Sequence, residues 1–184
     1  MKSSAMTKLF AGLLFAALTQ VPAFGACTKE SCSPIGPPLG PCTQVVYDNL
    51  FDDTSCTVWQ TTGDVIDGGD YYELEGLGGS LYQDVGTLPN DDIDVKYEIQ
   101  VFYANAAGTE QLRVELVNAS TGSVIQTIGT HNPSYSSDGT YSYQTTTANH
   151  SGVNARLRFR ILPGANPGIA AFRITRAYLW SVEY

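Results

Sequence analysis

The feature that most constrains this chain is a strict two-residue alternation that recurs on separate segments. In DVKYEIQVFYA, Val95, Tyr97, Ile99, Val101 and Tyr103 share one face, while Lys96, Glu98, Gln100 and Phe102 share the other. EQLRVELV sets Leu112, Val114 and Leu116 against Arg113 and Glu115. VNARLRFRIL sets Leu157, Phe159 and Ile161 against Arg156, Arg158 and Arg160. Successive side chains of a strand point to opposite faces, so each segment predicts a strand with one face in a core. Segment GSLYQDV predicts a further strand, closed by the turn-forming run Gly-Thr-Leu-Pro-Asn-Asp-Asp.

The remaining segments agree. VVYDNLF predicts a short first strand, and a polar loop leads from it to a strand carrying Trp59. Asp64–Tyr71 is turn-rich. After Asn118, Ala-Ser-Thr-Gly predicts a hairpin turn into SVIQTIGT. His131–Gly139 reads as a loop, followed by the strands TYSYQTTTA, VNARLRFRIL and IAAFRITRAYLWSVEY. Roughly eight to ten strands, about 10–15 residues apart and without a helical pattern, predict an all-β chain folded as an antiparallel β-sandwich or barrel.

The first 25 residues read as a secretory signal peptide. Lys2 and Lys8 form a basic start, LFAGLLFAALTQV is the apolar stretch, and Ala23-Phe24-Gly25 resembles a cleavage site. The apolar stretch is short for a bilayer span, so the expectation is a secreted product, with a periplasmic or cell-surface location the alternative, and no membrane insertion. Residues 26–44 form a Cys/Pro-rich extended arm, in which Pro34, Pro37, Pro38 and Pro41 oppose helix and discourage sheet. Residues 45–184 form the domain. Cys27, Cys32, Cys42 and Cys56 predict two disulfides, with all three pairings open. Cleavage would remove two of ten basic residues and none of the 18 acids, taking the net charge from −8 to −10. Such a surface disfavours nucleic acid as a partner.

At this point the order of four segments matters. NLFDDTSCTVW resembles an opening Asn-x-x-Phe-Glu followed by Trp, one residue shorter and with Asp52 for Glu. YYELEGLGGSLYQDV resembles a Gly-x-Ser-x-x-Gln-x-Val segment. VKYEIQVFYANAAGTEQLRVELVN resembles a central strand pair, and ARLRFRI with AYLWSVEY a closing pair. Together they resemble the jelly-roll carbohydrate-binding modules of secreted cellulases and xylanases, with the galactose-binding-like fold, across residues 45–184. The resemblance implies a jelly-roll sandwich, no catalytic residues and a polysaccharide or glycan partner. No cofactor is expected, although members of that family often hold a structural calcium, for which Asp52 would be the candidate ligand. Trp180 and Ser181 stand where the closing acids would be expected, and the cysteine-rich arm is a further departure.

The residues themselves speak against catalysis. His131 and His150 lie in polar loops, and no nucleophile, metalloprotease or phosphate-loop motif is present. Sugar binding needs aromatic faces for C–H groups, with amides, carboxylates or guanidinium groups for hydroxyls. Tyr82, Asp84, Glu98, Gln100, Phe102, Arg113, Glu115, Arg158 and Arg160 supply that mixture on the outward rows, and are the candidate ligand-binding residues. The plainer alternative is a solvated face of cross-strand pairs, with Glu98 or Glu115 against Arg158 or Arg160. Trp59 and Trp180 are expected in the core. A structural coat or matrix subunit, assembling through the sandwich and the arm, is the rival to a glycan-binding protein.

Overall fold

The computed structural model describes residues 42–46, 50–51, 56, 58–75, 78–104, 110–132, 139–147, 150–163 and 170–182, excepting the side chains of 102–104, 139–141 and 170. The expected signal peptide, most of the arm, Cys27, Cys32 and Asp52 lie outside them.

The strands are β1 (Thr43–Gln44), β2 (Gln60–Thr62), β3 (Val65–Asp67), β4 (Tyr72–Glu75), β5 (Ser80–Thr87) and β6 (Asp92–Ala104). They continue with β7 (Gln111–Asn118), β8 (Val124–His131), β9 (Gly139–Thr147), β10 (Asn154–Leu162) and β11 (Ala170–Val182). Two antiparallel sheets form. The first runs β3-β4-β11-β6-β9, with β1 also on β11, and the second runs β2-β5-β10-β7-β8. The predicted all-β sandwich is therefore the observed fold.

Two local expectations change. The turn-rich Asp64–Tyr71 stretch contains β3, which pairs with β4 around a tight turn. There Gly68 N donates to Tyr71 O, and Gly69, at φ 93°, donates to Asp67 Oδ1. A positive φ at this place favours glycine. The first strand also lies earlier than VVYDNLF: Thr43 and Gln44, assigned to the arm, pair with Ser181 and Trp180 of β11.

The core lies where the alternation put it. Tyr97, Ile99, Val101, Leu112, Val114, Leu116, Leu157, Phe159 and Ile161 are all buried in one cluster between the sheets. Trp59 joins them, with its ring against Phe51 and Phe159. Phe51 holds a left-handed backbone (φ 60°), unusual for a bulky residue, and is held there between Trp59 and Tyr72. Trp180 is buried too, in a different place. With Tyr178 and Val182 it forms a second cluster against Cys42 and Leu50, on the row of β11 opposite Ala177 and Leu179. Cys42 and Leu50 thus cover part of the outer face of the first sheet. Neither described cysteine, Cys42 or Cys56, is a free thiol.

Candidate functional site

The nine candidate residues do not share a face. β5, β6 and β7 follow one another in the chain but alternate between sheets. Tyr82 and Asp84 (β5), Arg158 and Arg160 (β10), and Arg113 and Glu115 (β7) occupy the outer face of the second sheet. Glu98 and Gln100 (β6) occupy the outer face of the first, across the whole core. A single groove containing all of them is therefore not formed. The Phe102 side chain lies outside the described residues.

On the first sheet, Glu98 and Gln100 face Arg176 and Arg173 of β11 in register. Together with Thr175 and Tyr71 they line an open depression of about 530 Å³, rimmed by Asp70 and Leu50. Arg173 lies over the Tyr71 ring at 4.3 Å and is ion-paired to Glu73 through its Nε. That bond raises the pKa of Arg173 above its usual range. Arg176 meets Glu98 at 3.4 Å, in place of the expected Arg158 or Arg160. Glu75, two residues from Glu73 on the same row, has its pKa raised by a hydrogen bond to Glu73, then by burial. The hollow therefore presents carboxylate, amide, hydroxyl and guanidinium groups beside an aromatic ring. Tyr71, Arg173, Thr175 and Arg176 were missed by sequence reasoning. Arg173 and Arg176 are the only cations of the closing strand, and that placement was the available signal.

On the second sheet, the expected Glu115 pairs do form. Arg158 Nε and Nη2 donate to Glu115 Oε2 at 3.0 and 2.6 Å, and Arg160 Nη2 donates to Oε1 at 2.8 Å. The Glu115 carboxylate is fully buried beneath them. Burial pushes its pKa up, but the hydrogen bonds from Arg160 and Arg158 outweigh this and hold it below the usual carboxylate value. Arg156, a member of the same row, grips Asp84 through Nε and Nη2 at 2.6 and 3.1 Å and lies 4.1 Å over the Tyr82 ring.

A third group sits at the side of the sandwich where β8 and β9 are the edge strands. Tyr97 Oη lies 2.7 Å from His131 Nε2, and the His131 ring packs 4.1 Å from Tyr143. Burial lowers the His131 pKa. A Cβ at Gly129 would collide with both Tyr97 Oη and His131 Nε2, so glycine is required by close approach. His150 Nε2 lies 2.8 Å from Gln126 Oε1. Neither histidine stands beside an activated nucleophile among these partners.

For calcium the described residues do not fit. Trp180 offers no oxygen, and the Ser181 hydroxyl is committed to Asp91 Oδ2 at 2.7 Å. Among the described residues no group of three or more His, Cys, Asp or Glu side chains is placed to hold a metal ion. No helix among them is long and apolar enough to cross a membrane.

No family model matches this chain, and no curated protein matches it. Solved structures do. The CBM2 module of the Lactobacillus casei BL23 phage J-1 evolved Dit aligns over 78% of this chain and 97% of its own, at 10% identity and a TM-score of 0.55. The xylan-binding module CBM15 aligns over 78% and 99%, at 12% identity and a TM-score of 0.54. An arabinose-bound α-L-arabinofuranosidase aligns over 74% of this chain at 8% identity and a TM-score of 0.55, and the chain spans 26% of that enzyme. At such identities the likeness defines the fold, a jelly-roll β-sandwich of the kind that carbohydrate-binding modules use.

Proposed function

We propose that the protein is an exported, non-catalytic glycan-binding module that holds a saccharide on the outer face of the first sheet. The observation that carries this reading is the depression beside Tyr71. There Glu98, Gln100, Thr175, Arg173 and Arg176 bring donors and acceptors together in an open hollow, as sugar hydroxyls require. The fold shared with carbohydrate-binding modules supports it, and the leader sequence supports export. The second sheet's charged row is largely engaged with itself and stands apart from this site.

Calorimetry of the mature protein against soluble xylan and other neutral polysaccharides tests the reading. Dissociation constants between about micromolar and millimolar are expected. Gln100→Ala should weaken binding at least roughly tenfold, about 1.4 kcal/mol, without moving the melting temperature. Failure to bind any polysaccharide, together with concentration-dependent assembly in sedimentation, would support the structural subunit instead.

A further inference from the structure

We infer that the outer face of the second sheet is a separate anion-binding face, suited to an acidic polysaccharide whose carboxylates or sulfates meet the arginine row. Three adjacent strands build it in register. Arg156 faces Asp84, Arg158 faces Glu115, and Arg160 directly faces Arg113. Four guanidinium groups thus stand against the two carboxylates Asp84 and Glu115, on a chain whose net charge is −8.

Like charges directly opposite each other across a strand pair are unfavourable. A face that only solvated itself would place an acid opposite Arg160. Here both oxygens of Glu115 are already taken, by Arg158 and Arg160. Arg113 joins none of the ion pairs among the described residues. Its Nε is buried without an acceptor, and so is Nε of Arg160. Buried donors without acceptors are costly, and a guanidinium fork matches a carboxylate or sulfate through two parallel hydrogen bonds. An anion seated between Arg113 and Arg160 would separate the facing charges, and a turn of either half-buried side chain toward it would give its Nε an acceptor. Farther along the row, beyond Arg158, Arg156 over the Tyr82 ring offers a cation–aromatic surface for a sugar ring.

The choice of a polysaccharide rests on the glycan reading of the fold, whereas the anion site rests on the arginine row alone. The test is binding of the mature protein to polygalacturonate, dextran sulfate, unmodified dextran and a single-stranded oligonucleotide, at low and at physiological salt. Polygalacturonate or dextran sulfate should bind, more weakly as salt rises, and which of them binds tells carboxylate from sulfate. Arg113→Gln should weaken that binding roughly tenfold at unchanged melting temperature, and Arg113→Lys should restore part of it. Neutral xylan binding should survive Arg113→Gln. No binding to either acidic polymer, binding indifferent to salt and to Arg113→Gln, or a preference for the oligonucleotide would each overturn the inference. Acidic binding lost while Gln100-dependent xylan binding persists counts against this face only. The reverse outcome counts only against the first-sheet site.

Discussion

Tyr97 Oη and His131 Nε2, 2.7 Å apart, tie β6 of the first sheet to β8 of the second at one side of the sandwich. Both rings also pack on Tyr143. Burial lowers the His131 pKa from its ordinary 6.5, so the native state favours the neutral ring. The unfolded chain takes up that proton more readily. Stability from this group is therefore full above about pH 6.5 and is lost as pH falls through the lower native value. Thermal melts from pH 7.5 to 5 should show the loss. His131→Gln should melt lower at pH 7.5 but decline less steeply, and parallel curves would refute the assignment.

Leu116 and Arg113 lie on opposite rows of β7, the first fully buried and the second not. Leu116→Ala should cost about 2–5 kcal/mol through lost burial and a cavity. Arg113→Ala should cost well under half of that. Chemical denaturation of the two variants decides, and equal losses would mean that the rows are assigned the wrong way round.

Glu115 and Asp84 are both paired to arginine, yet they should respond differently to removal of charge. Glu115 is fully buried, whereas 45% of the Asp84 side chain is exposed. Glu115→Gln should cost roughly 1.5–3 kcal/mol, the range for hydrogen bonds to charged groups. Asp84→Asn should cost less than about 1 kcal/mol. Because the Glu115 pKa is lowered in the native state, its contribution is present above pH 4.5 and is lost as pH falls through the native value. Denaturation at pH 7 and pH 3 should show the gap between the variants narrowing in acid.

The mature protein should contain no free thiol, with Cys27, Cys32, Cys42 and Cys56 in two disulfides. The even count behind a stretch that reads as a secretory leader motivates this, and neither Cys42 nor Cys56 is free. Thiol titration of the denatured, unreduced protein checks it, and two reactive thiols per chain would defeat it. Reduction should loosen the arm before the sandwich melts, because no cysteine follows Val58.

Much of this architecture was legible because alternation reports burial directly. The facing rows of β6, β7 and β10 needed nothing else, and the Glu115–arginine pairs followed from the same pattern. Sheet membership was not legible. Period two tells which residues share a row, but nothing local tells that β6 crosses to the other sheet while β5 and β7 stay together. That is why Glu98 and Gln100 separate from Tyr82 and Arg158. Trp180, expected in the core, sits with Tyr178 and Val182 instead for a related reason. Their row faces away from the main core, yet all three are buried in a second cluster against which Cys42 and Leu50 pack, a contact that only the long-range fold creates. β3 was hidden because three residues between glycine-rich turns carry too little pattern to register.

β11 is flanked by β6 on one side and by β1 and β4 on the other, so it is the central strand of the first sheet. It is also synthesised after the ten strands that precede it. Without it, β4 and β6 would each present an open edge, and Glu98 would lack Arg176. The hollow beside Tyr71 is therefore complete only once the closing strand lies between β4 and β6. A chain halted before Ala170 would leave both strands with unpaired edges, and the hollow would lack Arg173, Thr175 and Arg176.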